Sequence, residues 1–360
     1  MKITPEDMQK LYKHDFCSFT QFAFNELNPH IKYTHNWHIN VIAEALAKVE
    51  SGAIKRLIIN LPPRMLKSHC ASISFPAWVL GRDPTKNILC ITGSNDLGSD
   101  LEDNFYRLVK SNRYRALFSQ IAYSQSSRRI STQFGGFRKS ACMETSLTGV
   151  GADVVIIDDP ISTSKAMDES ERKNVNLTFD QNIYQRLNDK HDGAIIIVMQ
   201  RLHENDLCGH ILQKSSDWHH INLPAFAVED EEWILSSGKM IKRKKWDALH
   251  PERESYQELV NLRYKIGAHA FAYQFLQGQM KPAFGAIHVP KKYYSHDEWY
   301  EKAPEEVFEA KFMFDHGVAI VPTGCDSIEE WKEKYEEKAK GTYRSQLGRC
   351  LKEGEAELGT

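Results

Sequence analysis

A lysine and a serine, Lys67-Ser68, end the run Ile59-Asn-Leu-Pro-Pro-Arg-Met-Leu-Lys-Ser68. About ninety residues later two acids, Asp158-Asp159, close the apolar run Val154-Val-Ile-Ile157. An apolar strand, a tight turn and Lys-Ser suit phosphate chemistry. The ammonium can reach β- and γ-phosphates, the hydroxyl can ligate Mg²⁺, and a carboxylate from another strand can hold the same metal. Neither element is convincing alone; in this order they point to hydrolysis of ATP or GTP.

The loop departs from the pattern G-x-x-x-x-G-K-[ST]. Counting back from Lys67, the glycine positions fall on Leu61 and Leu66. Glycine there lets the backbone approach phosphate and take φ > 0. Pro62-Pro63 instead stiffens the entry, and Arg64 adds a cation. A strand-turn-helix with an incidental Lys-Ser is the plain alternative.

Several elements must position these groups. Residues 5–50 read as helical, ending in the periodic stretch Trp37–Leu46. Short Val- and Ile-rich runs follow at Arg56–Asn60, Asn87–Thr92, Asp153–Ile157 and Ala194–Met199, separated by helical segments. That alternation predicts an α/β protein with a mostly parallel sheet buried on both faces. Ligands of such sheets sit at the carboxyl ends of the strands. Lys67, Asp158 and Gln200 all follow predicted strands, so they are expected to converge.

The chain has 360 residues, 46 Lys and Arg against 48 Asp and Glu, 41% hydrophobic residues and 26% charged ones, all ordinary globular values. A net charge of −2 means that any DNA contact must use a local basic patch. No run of eighteen apolar residues occurs, and Met1-Lys-Ile-Thr-Pro-Glu6 lacks the apolar stretch of a signal peptide, so a cytoplasmic protein is expected. Seven scattered cysteines without a C-x-x-C pair read as buried or incidental thiols in a reducing compartment, not as a disulfide frame or zinc site.

A longer series of blocks resembles the ATPase domain of tailed-phage terminase large subunits. It begins at Gly52 and runs through Pro62-Pro-Arg-Met-Leu-Lys-Ser68, Phe75-Pro-Ala-Trp-Val-Leu-Gly-Arg-Asp-Pro84 and Gly135-Gly-Phe-Arg138. It continues with Leu147-Thr-Gly-Val-Gly-Ala-Asp153, Ile156-Ile-Asp-Asp-Pro160, Met199-Gln-Arg-Leu-His-Glu-Asn-Asp-Leu207 and Trp218-His-His-Ile-Asn-Leu-Pro-Ala225. His250-Pro-Glu-Arg253 and Tyr273-Gln-Phe-Leu-Gln277 complete it. The resemblance implies a RecA/ASCE-like P-loop NTPase core at 51–225, after an N-terminal helical region at 1–50. A linker subdomain at 226–290 and a truncated or divergent C-terminal segment at 291–360, a short α+β or helical remnant, would follow.

It also implies roles. Pro63, Arg64, Met65, Leu66, Lys67 and Ser68 would cradle the nucleotide, with Ser68 and Asp158 on Mg²⁺. Arg64 would sense the γ-phosphate. Asp159, where relatives carry a glutamate, would act on the attacking water or merely cap the turn into Pro160. Gln200, where threonine is common in the family, would orient water or report the γ-phosphate. Arg201 would stabilise charge or form a structural ion pair, and Trp37 would pack near adenine or bury itself. Expected partners are double-stranded DNA, a portal protein, a terminase small subunit and copies of this chain in a ring, with no membrane. Other readings are an inert prophage relic or nucleotide-binding domain, an endonuclease, or a helicase-like translocase.

His203-Glu204 and Asp206 lack the His pair of a zinc helix and read as an acidic helix start. Arg128-Arg129 with Arg138-Lys139 reads as a basic, loop-rich area. Lys239 to Lys245 forms a second basic cluster; either could meet DNA phosphates or be solvated charge. A complete nuclease domain would need on the order of 100 further residues, so no complete nuclease site is expected. Phe284-Gly-Ala-Ile287 and Tyr293-Tyr294 resemble the family's lead-in to it, and Phe312-Met-Phe-Asp315 suggests a strand delivering a first carboxylate. Ile328, Trp331, Tyr335 and Ala339 recur at helical spacing in a tail dense in Lys and Glu.

Overall fold

The computed structural model describes residues 4–278, apart from 120 and 146, together with Ile287–Val289 and Ile320–Pro322. The expectations at Phe284, at Tyr293-Tyr294, at 312–315 and for a tail helix lie outside these residues.

Three helices open the chain: α1 (Pro5–His14), α2 (Phe16–Leu27) and α3 (Trp37–Glu50). Thr4 and Asp7 form a capping box on α1, and the Asp15 carboxylate caps α2 through Ser18 N–H at 2.7 Å. Phe16, Phe19 and Phe22 of α2 are buried. The Phe16 ring lies 5.8 Å from Phe75 and 5.2 Å from Trp78, so aromatic packing seats α2 on the helix that follows the phosphate loop.

The sheet has eight strands: β1 (Arg56–Asn60), β2 (Asn87–Thr92), β3 (Tyr123–Ser126), β4 (Arg129–Thr132), β5 (Phe137–Cys142), β6 (Val154–Asp158), β7 (Ala194–Met199) and β8 (His219–Asn222). Their order is β3-β4-β5-β2-β6-β7-β1-β8. From β5 to β8 all pairs are parallel, and only the β3–β4–β5 edge is antiparallel. Strand β7 lies between the phosphate-loop strand and the strand carrying Asp158, bringing Gln200 to the same sheet edge.

The core explains this order. Residues 194–199 of β7 are all buried, as are Leu57 to Asn60 of β1, because helices cover both faces. Ile88, Cys90, Ile156, Ile196 and Ile59 face one helical layer; Leu89, Ile91, Ile157, Ile197 and Ile58 face the other. Each such side chain contributes roughly 1.5–3 kcal/mol of burial.

On the first face lie α4 (Phe75–Arg82), α5 (Asn95–Lys110) and α6 (Asn112–Leu117). Helices α7 (Glu169–Thr178) and α8 (Leu207–Lys214) pack on the second. A hairpin, β9 (Glu231–Ile234) with β10 (Met240–Arg243), follows the sheet.

The chain divides into two compact units, Met1–Tyr256 with Tyr273–Gly278, and Gln257–Ala272 with Gln279–Thr360. The first holds the sheet and the residues discussed below. Described elements of the second include a parallel pair, β11 (Ile287–Val289) and β12 (Ile320–Pro322). Among the described residues no helix is long and apolar enough to cross a membrane.

Candidate nucleotide-binding site

The loop after β1 takes the shape that its sequence makes costly. Arg64 and Leu66 both have left-handed backbone, at φ 63° and 62°. Leu66 stands at the second glycine position, so leucine here adopts a conformation that glycine takes freely, at about 1–2 kcal/mol. Packing offsets part of that strain, because the Leu66 side chain lies against the core. The helix begins at Lys67, and the Cys70 N–H donates to the Leu66 carbonyl at 3.0 Å. The chain then widens into a π-turn, His69–Ser74, which runs into α4.

Two carboxylates, one ending β6 and one just after it, meet this loop. The Lys67 ammonium lies 3.0 Å from Asp159 Oδ2. The Ser68 hydroxyl donates to Asp158 Oδ1 at 3.0 Å, and the Ser72 hydroxyl donates to Oδ2 at 2.6 Å. Asp158 is buried, and that burial pushes its carboxyl up to about 6. The neighbouring Asp159 charge acts in the same direction; Lys67 and the two serines oppose it.

Asp159 has φ 42°. Its N–H donates to the Val198 carbonyl at 2.9 Å, and its carbonyl accepts from Gly93 N–H at 3.1 Å. A Cβ on Gly93 would come 2.6 Å from that carbonyl, so glycine is needed where β2 ends against this turn.

Asp158 suits a hard cation. It is a buried carboxylate bonded to two hydroxyls, and among the described residues no lysine or arginine pairs with it directly. Oxygen donors of this kind favour Mg²⁺ over softer metals.

At the end of β7, the buried Gln200 Oε1 has no hydrogen-bond partner. Asn60 ties the neighbouring strands together. Its amide donates to the Met199 carbonyl at 3.0 Å, and its Oδ1 lies 2.8 Å from His220 Nε2.

Arg201 is held by Asp206, with Nε 2.9 Å from both carboxylate oxygens, while Nη2 donates to the His203 and Glu204 carbonyls at 3.2 and 3.3 Å. Asp206 also caps α8 through Gly209 N–H at 2.9 Å. His203 stacks on Tyr273 with ring centroids 6.1 Å apart.

Trp37 packs with the hairpin: its ring lies 6.2 Å from Trp233, and the Arg243 guanidinium stands 5.7 Å from its centroid. Arg64 is exposed.

The two basic segments differ from expectation. Arg129 and Arg138-Lys139 lie on strands β4 and β5, not in a loop, and Arg138 is fully buried. Lys242, Arg243 and Lys244 pair with Glu232, Glu231 and Asp230 at 2.6, 3.1 and 2.6 Å. The second cluster is therefore largely neutralised by the acids that open its own hairpin. Ser72 was not singled out from sequence, although its spacing of four from Ser68 puts both hydroxyls on one helical face.

A phosphate loop between the first sheet strand and a helix, its Lys-Ser facing two acids at the end of another parallel strand, defines a P-loop NTPase fold. No protein-family model matches this chain, and no curated protein does. Among solved structures it is similar to the HK97 bacteriophage large terminase, at 12% identity and TM-score 0.38, covering 57% of this chain and 44% of that one. It is also similar to the ATPase domain of a Thermus phage large terminase, at 15% identity and TM-score 0.41, covering 70% and 95%. A third is the large terminase of a thermophilic bacteriophage in complex with ADP, at 10% identity and TM-score 0.36, covering 69% and 58%. The chain thus spans less than half of the HK97 protein.

Proposed function

We propose that this chain is the ATP-hydrolysing subunit of a phage or prophage DNA-packaging terminase, using Mg²⁺ and driving double-stranded DNA into a procapsid. The observation that carries the ATPase reading is the pair of contacts Lys67–Asp159 and Ser68–Asp158, both 3.0 Å, made across about ninety residues of chain. The DNA-packaging part rests on the ordered motif blocks from Gly52 to Gln277. Portal, small subunit and ring assembly belong to the same proposal.

Ser68 and Asp158 are the residues that would hold Mg²⁺, which when bound neutralises phosphate charge. Lys67 exchanges Asp159 for the β- and γ-phosphates of ATP. Asp159, released from Lys67, accepts the proton of the attacking water. Its short side chain and left-handed backbone fix where that water must stand. Gln200, with a free carbonyl oxygen at the next strand end, orients the water or reads the γ-phosphate. Arg64 sits exposed on the loop, open to a nucleotide or to a neighbouring copy. Arg201, spent on Asp206, supports the segment that carries Gln200.

A nucleotide-binding domain without turnover is the second reading, favoured by the engagement of Lys67 with the residue that would act as base. ATP turnover with and without double-stranded DNA, beside Lys67→Ala and Asp158→Ala, separates the two. Turnover lost in both variants supports the motor; ADP binding without turnover under any condition supports the second reading.

A further inference from the structure

Arg138 is a large cation buried completely within the sheet layer, and among the described residues no carboxylate pairs with it. Leaving such a charge unpaired costs several kcal/mol. What it does make is specific. Its Nη1 donates to Ser140 Oγ at 2.6 Å, its Nη2 donates to the Ser72 carbonyl at 3.4 Å, and its guanidinium carbon stands 5.2 Å from the Phe105 ring centroid. The Nε is left without a partner.

The Ser72 carbonyl lacks its ordinary α-helical donor for a reason visible in the sequence. In an α-helix it would accept from residue 76, but Pro76 has no N–H. The chain opens into the π-turn at His69–Ser74, and Arg138 reaches in from β5 to the carbonyl. The same Ser72 then donates its hydroxyl to Asp158 at 2.6 Å. Strand β2 lies between β5 and β6.

We propose that Arg138 is a positioning residue for the metal-binding carboxylate. By holding the Ser72 carbonyl it fixes the π-turn in the register that aims the Ser72 hydroxyl at Asp158. That hydrogen bond occupies Oδ2 and leaves Oδ1 oriented toward Ser68, so both oxygen donors proposed for Mg²⁺ are set before nucleotide arrives. The inference rests on the ATPase reading above, because that reading makes Asp158 the metal residue.

The test measures Mn²⁺ affinity of the full chain with saturating ADP, by electron paramagnetic resonance of free Mn²⁺. ADP affinity in a chelator is measured beside it. Arg138→Lys keeps a charge but loses the fork, and should weaken Mn²⁺ about tenfold, as supporting residues of metal sites do, with metal-free ADP affinity unchanged. Ser72→Ala should give a similar loss, and the double variant should bind Mn²⁺ no more weakly than Ser72→Ala alone. If Arg138→Lys does not fold, Ser140→Ala, which removes the 2.6 Å anchor of the guanidinium, takes its place with the same expectation. Wild-type Mn²⁺ affinity in a folded variant, or losses that add in the double variant, overturns the assignment alone. A wild-type chain that takes up no Mn²⁺ with ADP overturns this assignment and the ATPase reading together.

Discussion

Asp159→Asn should tighten ADP binding while abolishing turnover. In the nucleotide-free chain the Lys67 ammonium is 3.0 Å from Asp159 Oδ2, with the lysine side chain 9% and the aspartate 26% exposed. At that distance and an effective dielectric of about 20 the gross attraction is about 5 kcal/mol. Desolvation and partial screening reduce the net value of such a pair to about 1–2 kcal/mol. A phosphate that recruits Lys67 must displace this contact, so Asp159 opposes binding by that amount. Neutralising it should lower the Kd for ADP roughly 5- to 30-fold. It also removes the charge that works with burial to push Asp158 up, which favours the ionised form of Asp158. Calorimetry with ADP at neutral pH and low salt, with and without Mg²⁺, measures the change; phosphate release measures turnover. An ADP affinity that stays equal or weakens would falsify the idea that Asp159 holds the lysine back.

Other predictions follow from the same contacts. Leu66→Gly relieves a φ of 62° but loses packing and gains unfolded-state entropy, so its urea stability should stay within about 1 kcal/mol of wild type, whereas the β-branched Leu66→Val should lose about 1–2 kcal/mol. Asp206→Ala removes both the α8 cap and the partner of the mostly buried Arg201, and should cost about 3–5 kcal/mol in urea unfolding. Asp158, raised from 3.8 to about 6, binds its proton more tightly folded than unfolded. Its contribution to stability is therefore greatest at low pH and falls as pH rises from about 4 to about 6, and Asp158→Asn should flatten the urea-stability profile across that window.

Much of the sheet was legible because its strands are pure. Arg56–Asn60, Asn87–Thr92 and Ala194–Met199 have the bounds expected from their apolar runs, and the β6 strand is shifted by one residue. Strands buried on both faces leave little ambiguity in sequence. Lys67, Ser68 and Asp158 could be brought together on paper because each sits at a strand end.

The edges were less legible. Tyr123–Ser126 is polar, and Glu231–Ile234 with Met240–Arg243 reads as charge, not as a hairpin. Arg138 was misjudged because Gly135-Gly136 suggests a loop and a buried cation breaks the usual pattern. Pro76 could have hinted at a donor for the Ser72 carbonyl, but only coordinates identify that donor as an arginine on another strand.

Both flanks of the large sheet are closed by strands of only four residues, Tyr123–Ser126 and His219–Asn222, the first antiparallel and mostly polar. Short, polar flanking strands give another chain little backbone to pair with. A fold with so many isoleucine- and valine-rich strands thus keeps its aggregation-prone segments in the middle of the sheet, where every neighbour is already taken. In the ring proposed above, copies of this chain would have side-chain surfaces to use for assembly, and small cause to merge their sheets.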